Sequence, residues 1–270
     1  MNDLVSIVMP SYNCRDYIEE SILSIQTQTY PNWELIIVDD CSTDDTLQKV
    51  VAMQAEDKRI NVFQNAHNSG AAVSRNTALR NARGRWIAFL DSDDIWEPQK
   101  LEKQIRFMEG KGCSFSYTNY QEFDGGTFNV GVLGSSPKRI MVSGPKRITK
   151  WGMYAFCWPG CLTVMYDAEK IGLIQIADIK KNNDYAMWLK VCKKADCYLL
   201  DECLAKYRRG RQGSISTHGY LTLIGWHYKL WRDAEEMNPI AAALMTCVNM
   251  FFGLLKKMIY IKKEIGRAHV

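Results

Sequence analysis

Apolar and polar positions alternate between two periods along the first hundred residues. Leu4 to Met9 (LVSIVM) is a short, β-branched apolar run closed by Pro10, which predicts a buried strand. Tyr17 to Gln28 switches to helical spacing, with Ile18, Ile22 and Ile25 on one face. Leu35 to Val38 (LIIV) is a second buried strand, ended by Asp39-Asp40. Ser42-Thr43-Asp44-Asp45 predicts a helix start, with Ser42 or Thr43 as N-cap. Ile60 to Phe63 reads as a third strand. Gly70 to Arg83 reads as a helix with Gly84 as its C-cap, and Trp86 to Leu90 (WIAFL) is a fourth strand that runs into Asp91.

Strands alternating with helices imply right-handed βαβ units and a parallel sheet buried on both faces. In such sheets ligands bind at the carboxyl ends of the strands. Three of these strands end in polar residues: Ser11-Tyr12-Asn13, Asp39-Asp40 and Asp91-Ser92-Asp93-Asp94. The pattern therefore brings several carboxylates to one edge, with Asp39-Asp40 expected on the strand next to Asp91.

The second half is less regular. Cys113 to Thr118 and Cys161 to Tyr166 read as strands, and residues 119–150, rich in Gly, Ser and Lys/Arg, as a hairpin or mobile loop. Asn183 to Lys194 is helical, with Met187, Trp188 and Val191 as its apolar face. Leu204 to Arg208 is a short strand, Arg209 to Thr217 a Gly/Ser/Arg loop, and the chain is helical from Tyr220 onward.

Composition narrows the function classes. A chain of 270 residues, 47% hydrophobic and 24% charged, can bury a sizeable core. A net charge of +4 is too mild for a nucleic-acid binder, whose basic residues form a dense stripe. The nine cysteines are scattered without metal-binding spacing, which suits buried thiols in a reducing compartment. No signal peptide precedes the first strand, so a cytoplasmic location is expected.

The chemistry concentrates on Asp91-Ser92-Asp93. Two carboxylates on alternate residues at a strand end can reach one hard cation, Mg²⁺ or Mn²⁺, together with phosphates bound to it. A capped turn opening the next helix is the plainer alternative for an isolated Asp-x-Asp. Asp39 and Asp40 can accept from a base imide or ribose hydroxyl, or simply help to cap a helix. Arg75 is placed to meet a pyrophosphate or an acid on the same edge. Asp184, at a helix start, reads from its spacing as the N-cap.

Ser6 to Asp45 reads SIVMPSYNCRDYIEESILSIQTQTYPNWELIIVDDCSTDD, and Asn68 to Leu101 reads NSGAAVSRNTALRNARGRWIAFLDSDDIWEPQKL. Together they resemble the nucleotide-binding half of the family 2 inverting glycosyltransferases of bacterial surface-polysaccharide synthesis. The resemblance implies the GT-A fold: an α/β, mostly parallel mixed sheet flanked by helices, here with a C-terminal helical extension. It implies a nucleotide-sugar-binding half over 1–112 and an acceptor half over 113–217, followed by a helical, membrane-associated segment over 218–264. Pro10, Tyr12 and Asp40, with Asp39 beside them, would line a uridine pocket. Arg75 would support the donor, Asp91 would meet ribose or metal, and Asp93 would hold Mn²⁺ or Mg²⁺.

Asn183-Asp184 resembles the family's Asn-Asp helix start, making Asp184 the catalytic base. Tyr207-Arg208-Arg209-Gly210-Arg211 resembles a late loop that closes over the diphosphate, with Arg208 or Arg211 on phosphate. Many relatives carry a histidine there where this chain has arginines. The implied partners are a UDP-sugar and a saccharide or lipid-linked saccharide acceptor in O-antigen, capsule or lipopolysaccharide synthesis. Two other readings compete. A sugar-nucleotide nucleotidyltransferase would need a Gly-rich, basic loop where Pro10-Ser11-Tyr12-Asn13 stands. A non-catalytic membrane-associated module would not need Asp93 and Asp184.

Pro239 to Leu255 is strongly apolar and is followed by paired lysines. The run is short of the roughly 20 residues of a span and contains Asn249, so a helix lying on the cytoplasmic leaflet or docked on the catalytic domain is expected. Ile265 to Val270 (IGRAHV) equals the translation of a common sequencing-adapter read, so this tail is expected to be foreign to the protein.

Overall fold

The computed structural model describes residues 3–124, 139–177, 179–210 and 220–264. Arg211, the rest of the expected loop after it, residues 125–138 of the expected hairpin and the Ile265–Val270 tail lie outside these residues.

The first half is built from β1 (Val5–Ser11), α1 (Ile18–Gln26), β2 (Trp33–Asp39), α2 (Thr46–Glu56), β3 (Ile60–Gln64), α3 (Ala71–Arg80) and β4 (Trp86–Phe89). The four strands are parallel, in the order β4-β1-β2-β3. Successive residues of a strand point to opposite faces. Ile36 and Val38 therefore enter one buried cluster while Leu35 and Ile37 enter the other. A run such as LIIV has no polar alternation because both sheet faces are covered.

β5 (Ile95–Trp96) and α4 (Lys100–Lys111) lead into β6 (Phe115–Asp124), β7 (Arg139–Val142), β8 (Arg147–Ile148) and α5 (Lys150–Ala155). Then come β9 (Met165–Asp167), α6 (Ala168–Ile171), α7 (Asn183–Cys192) and β10 (Cys197–Arg209). β9 inserts antiparallel between β4 and β6, and β10 runs parallel to β6, so one mixed sheet continues through both halves. The chain closes with α8 (Tyr220–Lys229), a π-helical turn, α9 (Pro239–Ile259) and β11 (Ile261–Glu264), which pairs with β7.

Several details differ from the sequence expectations. β1 lies between β2 and β4, so Asp39-Asp40 is two strands from Asp91 rather than next to it. α2 is capped at Asp45, because the Ser42 hydroxyl donates to Asp39 instead of capping the helix. α3 ends at Asn81. Gly84 is no C-cap: a Cβ there would lie 2.6 Å from the Leu4 carbonyl oxygen, so only glycine admits that close approach to β1.

Cys161–Thr163 forms a 3₁₀ turn before β9. Side chains satisfy its carbonyls, with Trp96 Nε1 donating to Leu162 at 2.7 Å and Gln104 Nε2 to Thr163 at 3.0 Å. The last strand is much longer than Leu204–Arg208. Register shifts carry β10 past Asp201-Glu202, whose polarity hides the strand. None of the nine cysteines is joined in a disulfide.

α9 is long and apolar enough, by length and composition, to cross a bilayer. It is nevertheless docked along one side on the domain. Asn249 and Thr246 are buried there, and Lys256 donates to the Trp158 carbonyl. The opposite side exposes Ile240, Leu244, Phe251, Leu254 and Met258.

Candidate active site

The carboxyl ends of β1, β2 and β4 converge. Pro10 ends the core of β1, and Tyr12 follows it, 41% exposed. The loops after β1 and β2 are stitched together. Asn13, at φ 44°, accepts from Thr43 N at 2.9 Å, and Asp40 N donates to the Ser11 carbonyl at 2.8 Å.

Asp39 and Asp40 have separate local tasks. Asp39 accepts from Ser42 N at 3.0 Å and from the Ser42 hydroxyl, closing its own loop. Asp40 accepts from Ser69 N at 2.8 Å, Gly70 N at 2.7 Å and Asn65 Nδ2 at 2.7 Å. It thus braces the approach to α3 at Gly70, whose φ of 87° suits glycine.

That bracing sets α3, and α3 sets Arg75. Its guanidinium is buried. Nη2 donates to Asp91 Oδ1 at 2.5 Å and Nη1 to Asn183 Oδ1 at 2.8 Å. One cation therefore joins the end of β4 to the first turn of α7, where Asp184 stands. Of the two alternatives for Arg75, the acid on the edge is its partner here.

Asp91-Ser92-Asp93-Asp94 forms a tight turn into β5, with Asp94 N donating to the Asp91 carbonyl at 3.1 Å. Asp91 and Asp93 are partly exposed, and Ser92 and Asp94 are buried. Asp94 accepts from Arg208 N at 2.9 Å. Burial pushes its carboxyl well above the usual range, and repulsion from Asp93 and Asp91 adds to this. The turn concentrates negative charge, with Arg75 paired to Asp91 and the Arg208 backbone donating to Asp94.

A divalent cation fits that chemistry. Asp93 and Asp91 supply hard oxygen donors at a partly open turn. Among the described residues no three His, Cys, Asp or Glu side chains form a complete ligand set. An ion held by one or two carboxylates would share its remaining positions with substrate phosphates, as Mg²⁺ commonly does.

Asp184 sits in the first turn of α7, next to Tyr185, whose N–H it accepts at 2.8 Å. Burial raises its carboxyl above the ordinary value, and Arg75 opposes that rise. Asp91 raises it slightly further. The helix N-cap is Asn182, so Asp184 is not the cap that spacing alone allowed.

Arg208 is placed differently from expectation. Its side chain is fully buried, stacked between Tyr17 and Phe123, with Nη2 on Glu20 at 2.5 Å and Nε on the Asp93 carbonyl at 2.8 Å. Its guanidinium thereby braces the Asp93 turn against α1. Arg209 is the exposed neighbour and pairs with Glu122 at 2.8 Å. Trp158 is buried against Phe156, Phe252 and Tyr260.

Sequence reasoning missed Glu20, Asn183 as the partner of Arg75, and Asn249. Glu20 and Asn183 become legible only when long-range partners are known. Asn249 left one signal, a lone amide within an apolar helix.

Comparison with known proteins identifies the family. The model of the glycosyl transferase family 2 matches residues 6–168. TuaG of Bacillus subtilis, a glycosyltransferase assigned to teichuronic acid biosynthesis, is 45% identical over 88% of this chain and 91% of its own length. WfgD of Escherichia coli, a UDP-Glc:α-D-GlcNAc-diphosphoundecaprenol β-1,3-glucosyltransferase, is 40% identical over 82% of each chain. Among solved structures, Staphylococcus aureus TarS 1-349 in complex with UDP-GlcNAc superposes with a TM-score of 0.66. It is 22% identical and covers 94% of this chain and 72% of its own, so it supports the GT-A fold alone. The mannosyltransferase PcManGT from Pyrobaculum calidifontis, in complex with GDP-Man and Mn²⁺, gives 0.62 at 15% identity, over 94% of this chain and 71% of its own. The chain is a glycosyltransferase and belongs to glycosyltransferase family 2.

Proposed function

We propose that this enzyme moves one sugar, with inversion, from a UDP-sugar to a saccharide or lipid-linked saccharide acceptor in cell-surface glycan assembly. The observation that carries the site assignment is the Arg75 bridge. It holds the donor-side carboxylate Asp91 and the first turn of α7, bearing Asp184, on one guanidinium. The relatives' UDP-glucose donor and diphosphoundecaprenol-linked acceptor support the substrate class.

In this reading Pro10 and Tyr12 form one wall of the nucleotide pocket. Asp40 shapes it by holding the loop before α3. Asp93, with Asp91, would hold Mn²⁺ or Mg²⁺, which supplies charge stabilisation for the departing diphosphate. Asp184 accepts the proton of the acceptor hydroxyl as its oxygen bonds to the anomeric carbon. The bond from that carbon to the diphosphate oxygen breaks, and UDP leaves with the electron pair. Inversion follows from this single displacement. Arg211, outside the described residues, remains assigned to the diphosphate.

Reaction at the inner face of the cytoplasmic membrane fits an undecaprenol-linked acceptor. The exposed apolar side of α9 is the surface assigned to peripheral contact.

The test is direct. Asp184→Asn should bind UDP with Mn²⁺ like the wild type yet release no UDP from UDP-sugar in the presence of acceptor. Full turnover in this variant would remove Asp184 from the mechanism. A screen of UDP-, GDP- and dTDP-sugars, read by released nucleotide, tests the donor class.

A further inference from the structure

Asn249 is fully buried on the inner side of α9, and all its polar capacity is used. Its Nδ2 donates toward the Ala155 carbonyl at 2.7 Å, the Tyr154 carbonyl at 3.0 Å and the Tyr185 hydroxyl at 3.2 Å. Its Oδ1 accepts from Trp231 Nε1 at 3.2 Å and faces His227 Nδ1 at 3.1 Å. The amide orientation is forced: an indole N–H can only donate, and carbonyls can only accept. Five groups from α5, α7, α8 and the π-helical turn therefore converge on one side chain of α9.

Tyr185 is the residue after Asp184. Its ring packs edge-on to Trp231 and His227, and its hydroxyl donates to the Met153 carbonyl at 2.8 Å. The first turn of α7 is thus held from two directions. Arg75 grips Asn183 from the nucleotide side, and Asn249 grips Tyr185 from the C-terminal side. Asp184 lies between the two grips.

We propose that Asn249, acting through Tyr185, is a positioning residue for the Asp184 base, so that α9 is part of the catalytic apparatus and not an appendage. The proposal rests on Asp184 being the base. A carboxylate that must take a proton in flight needs its position fixed within about 0.5 Å, and rigid, hydrogen-bonded neighbours supply that. The same turn keeps Asp184 among Arg75, Asp91, Cys157 and Cys161, the groups that face it electrostatically. Loosening it would let water reach the carboxyl, relieving the burial that dominates its upward shift.

Tyr185→Phe keeps the ring and deletes the hydroxyl, and so carries the test where Asn249→Ala could unfold the α9 docking. The full chain should keep wild-type UDP affinity and KM for the sugar nucleotide. Its kcat should fall roughly tenfold, as for a catalytic group displaced by a fraction of an ångström. The acidic limb of its kcat–pH profile should move to lower pH. Unchanged kcat and an unmoved limb, or a loss equal in UDP affinity and kcat, overturn the proposal. Asp184→Asn, run alongside, separates the readings. If it stays active, the base assignment has failed. If it is dead while Tyr185→Phe matches wild type, only the positioning role has failed.

Discussion

Arg75 Nη2 lies 2.5 Å from Asp91 Oδ1 while its Nη1 lies 2.8 Å from Asn183 Oδ1, so one planar fork joins the turn after β4 to the start of α7. Lysine is a point charge and cannot reach both partners with fixed geometry. Arg75→Lys should keep the fold and lose about 10²-fold in kcat/KM, the scale of a misplaced catalytic group. Steady-state release of UDP measures it. Activity within threefold of wild type would show that the bridge does not organise the site.

Arg208 makes a different prediction. Its charge is fully buried against Glu20 and clamps the Asp93 turn. Removing one member of a buried pair strands the other, at a cost of about 3–5 kcal/mol. Arg208→Met should therefore lower the urea midpoint sharply. A loss of UDP affinity at unchanged stability would instead restore the phosphate-binding role that the Tyr-Arg motif first suggested.

These two arginines show what was legible in the sequence. The β/α alternation of residues 4–90 and the acidic strand ends depend on local period and position, and both are visible in one chain. Arg75 could be narrowed to two partners because it lies in a helix that begins near the acidic edge. Arg208 could not, since its partner Glu20 is 188 residues away and only the fold brings α1 against β10. Strand order was misjudged for the same reason: the insertion of β1 between β2 and β4 leaves no local mark. β10 was truncated because Asp201-Glu202 interrupt the apolar pattern, and its register shifts there are a tertiary solution. In α9, Asn249 reads as a blemish in sequence and as a hub in the structure.

Stability should carry an acid-sensitive contribution from Asp57. The Arg59 side-chain hydrogen bond leads in pushing its carboxyl down to about 2. A depressed folded-state value means the stabilisation is present above the unfolded value near 4 and is lost as pH falls toward 2. Arg59 is partly exposed, so solvent screening limits the effect to about 1 kcal/mol. Asp57→Asn should be less stable than wild type by that amount at pH 7, with the gap closing by pH 2. Urea denaturation at pH 7, 4 and 2 checks it, and a gap independent of pH would show that the ion pair is not its source.

The outer side of α9 should bind anionic bilayers. Ile240, Leu244, Cys247, Phe251, Leu254 and Met258 recur at steps of four and three, forming one exposed stripe on a helix with no acidic residue. Lys257 and Lys262, both exposed, add positive charge at its C-terminal end. Apolar area together with basic residues is the combination that holds a helix at the interface of an anionic leaflet. The inner side is already occupied by the domain, which favours lying on the membrane over crossing it. Leu244→Glu with Phe251→Glu places two charges in the stripe and touches none of the partners of Asn249. The double variant should keep its melting temperature and its turnover of a water-soluble acceptor, while its sedimentation with phosphatidylglycerol vesicles falls at least tenfold. Equal sedimentation would exclude this stripe as the membrane surface. A wild type that leaves vesicles alone but forms a dimer broken by the same substitutions would assign the stripe to a second copy of the chain instead.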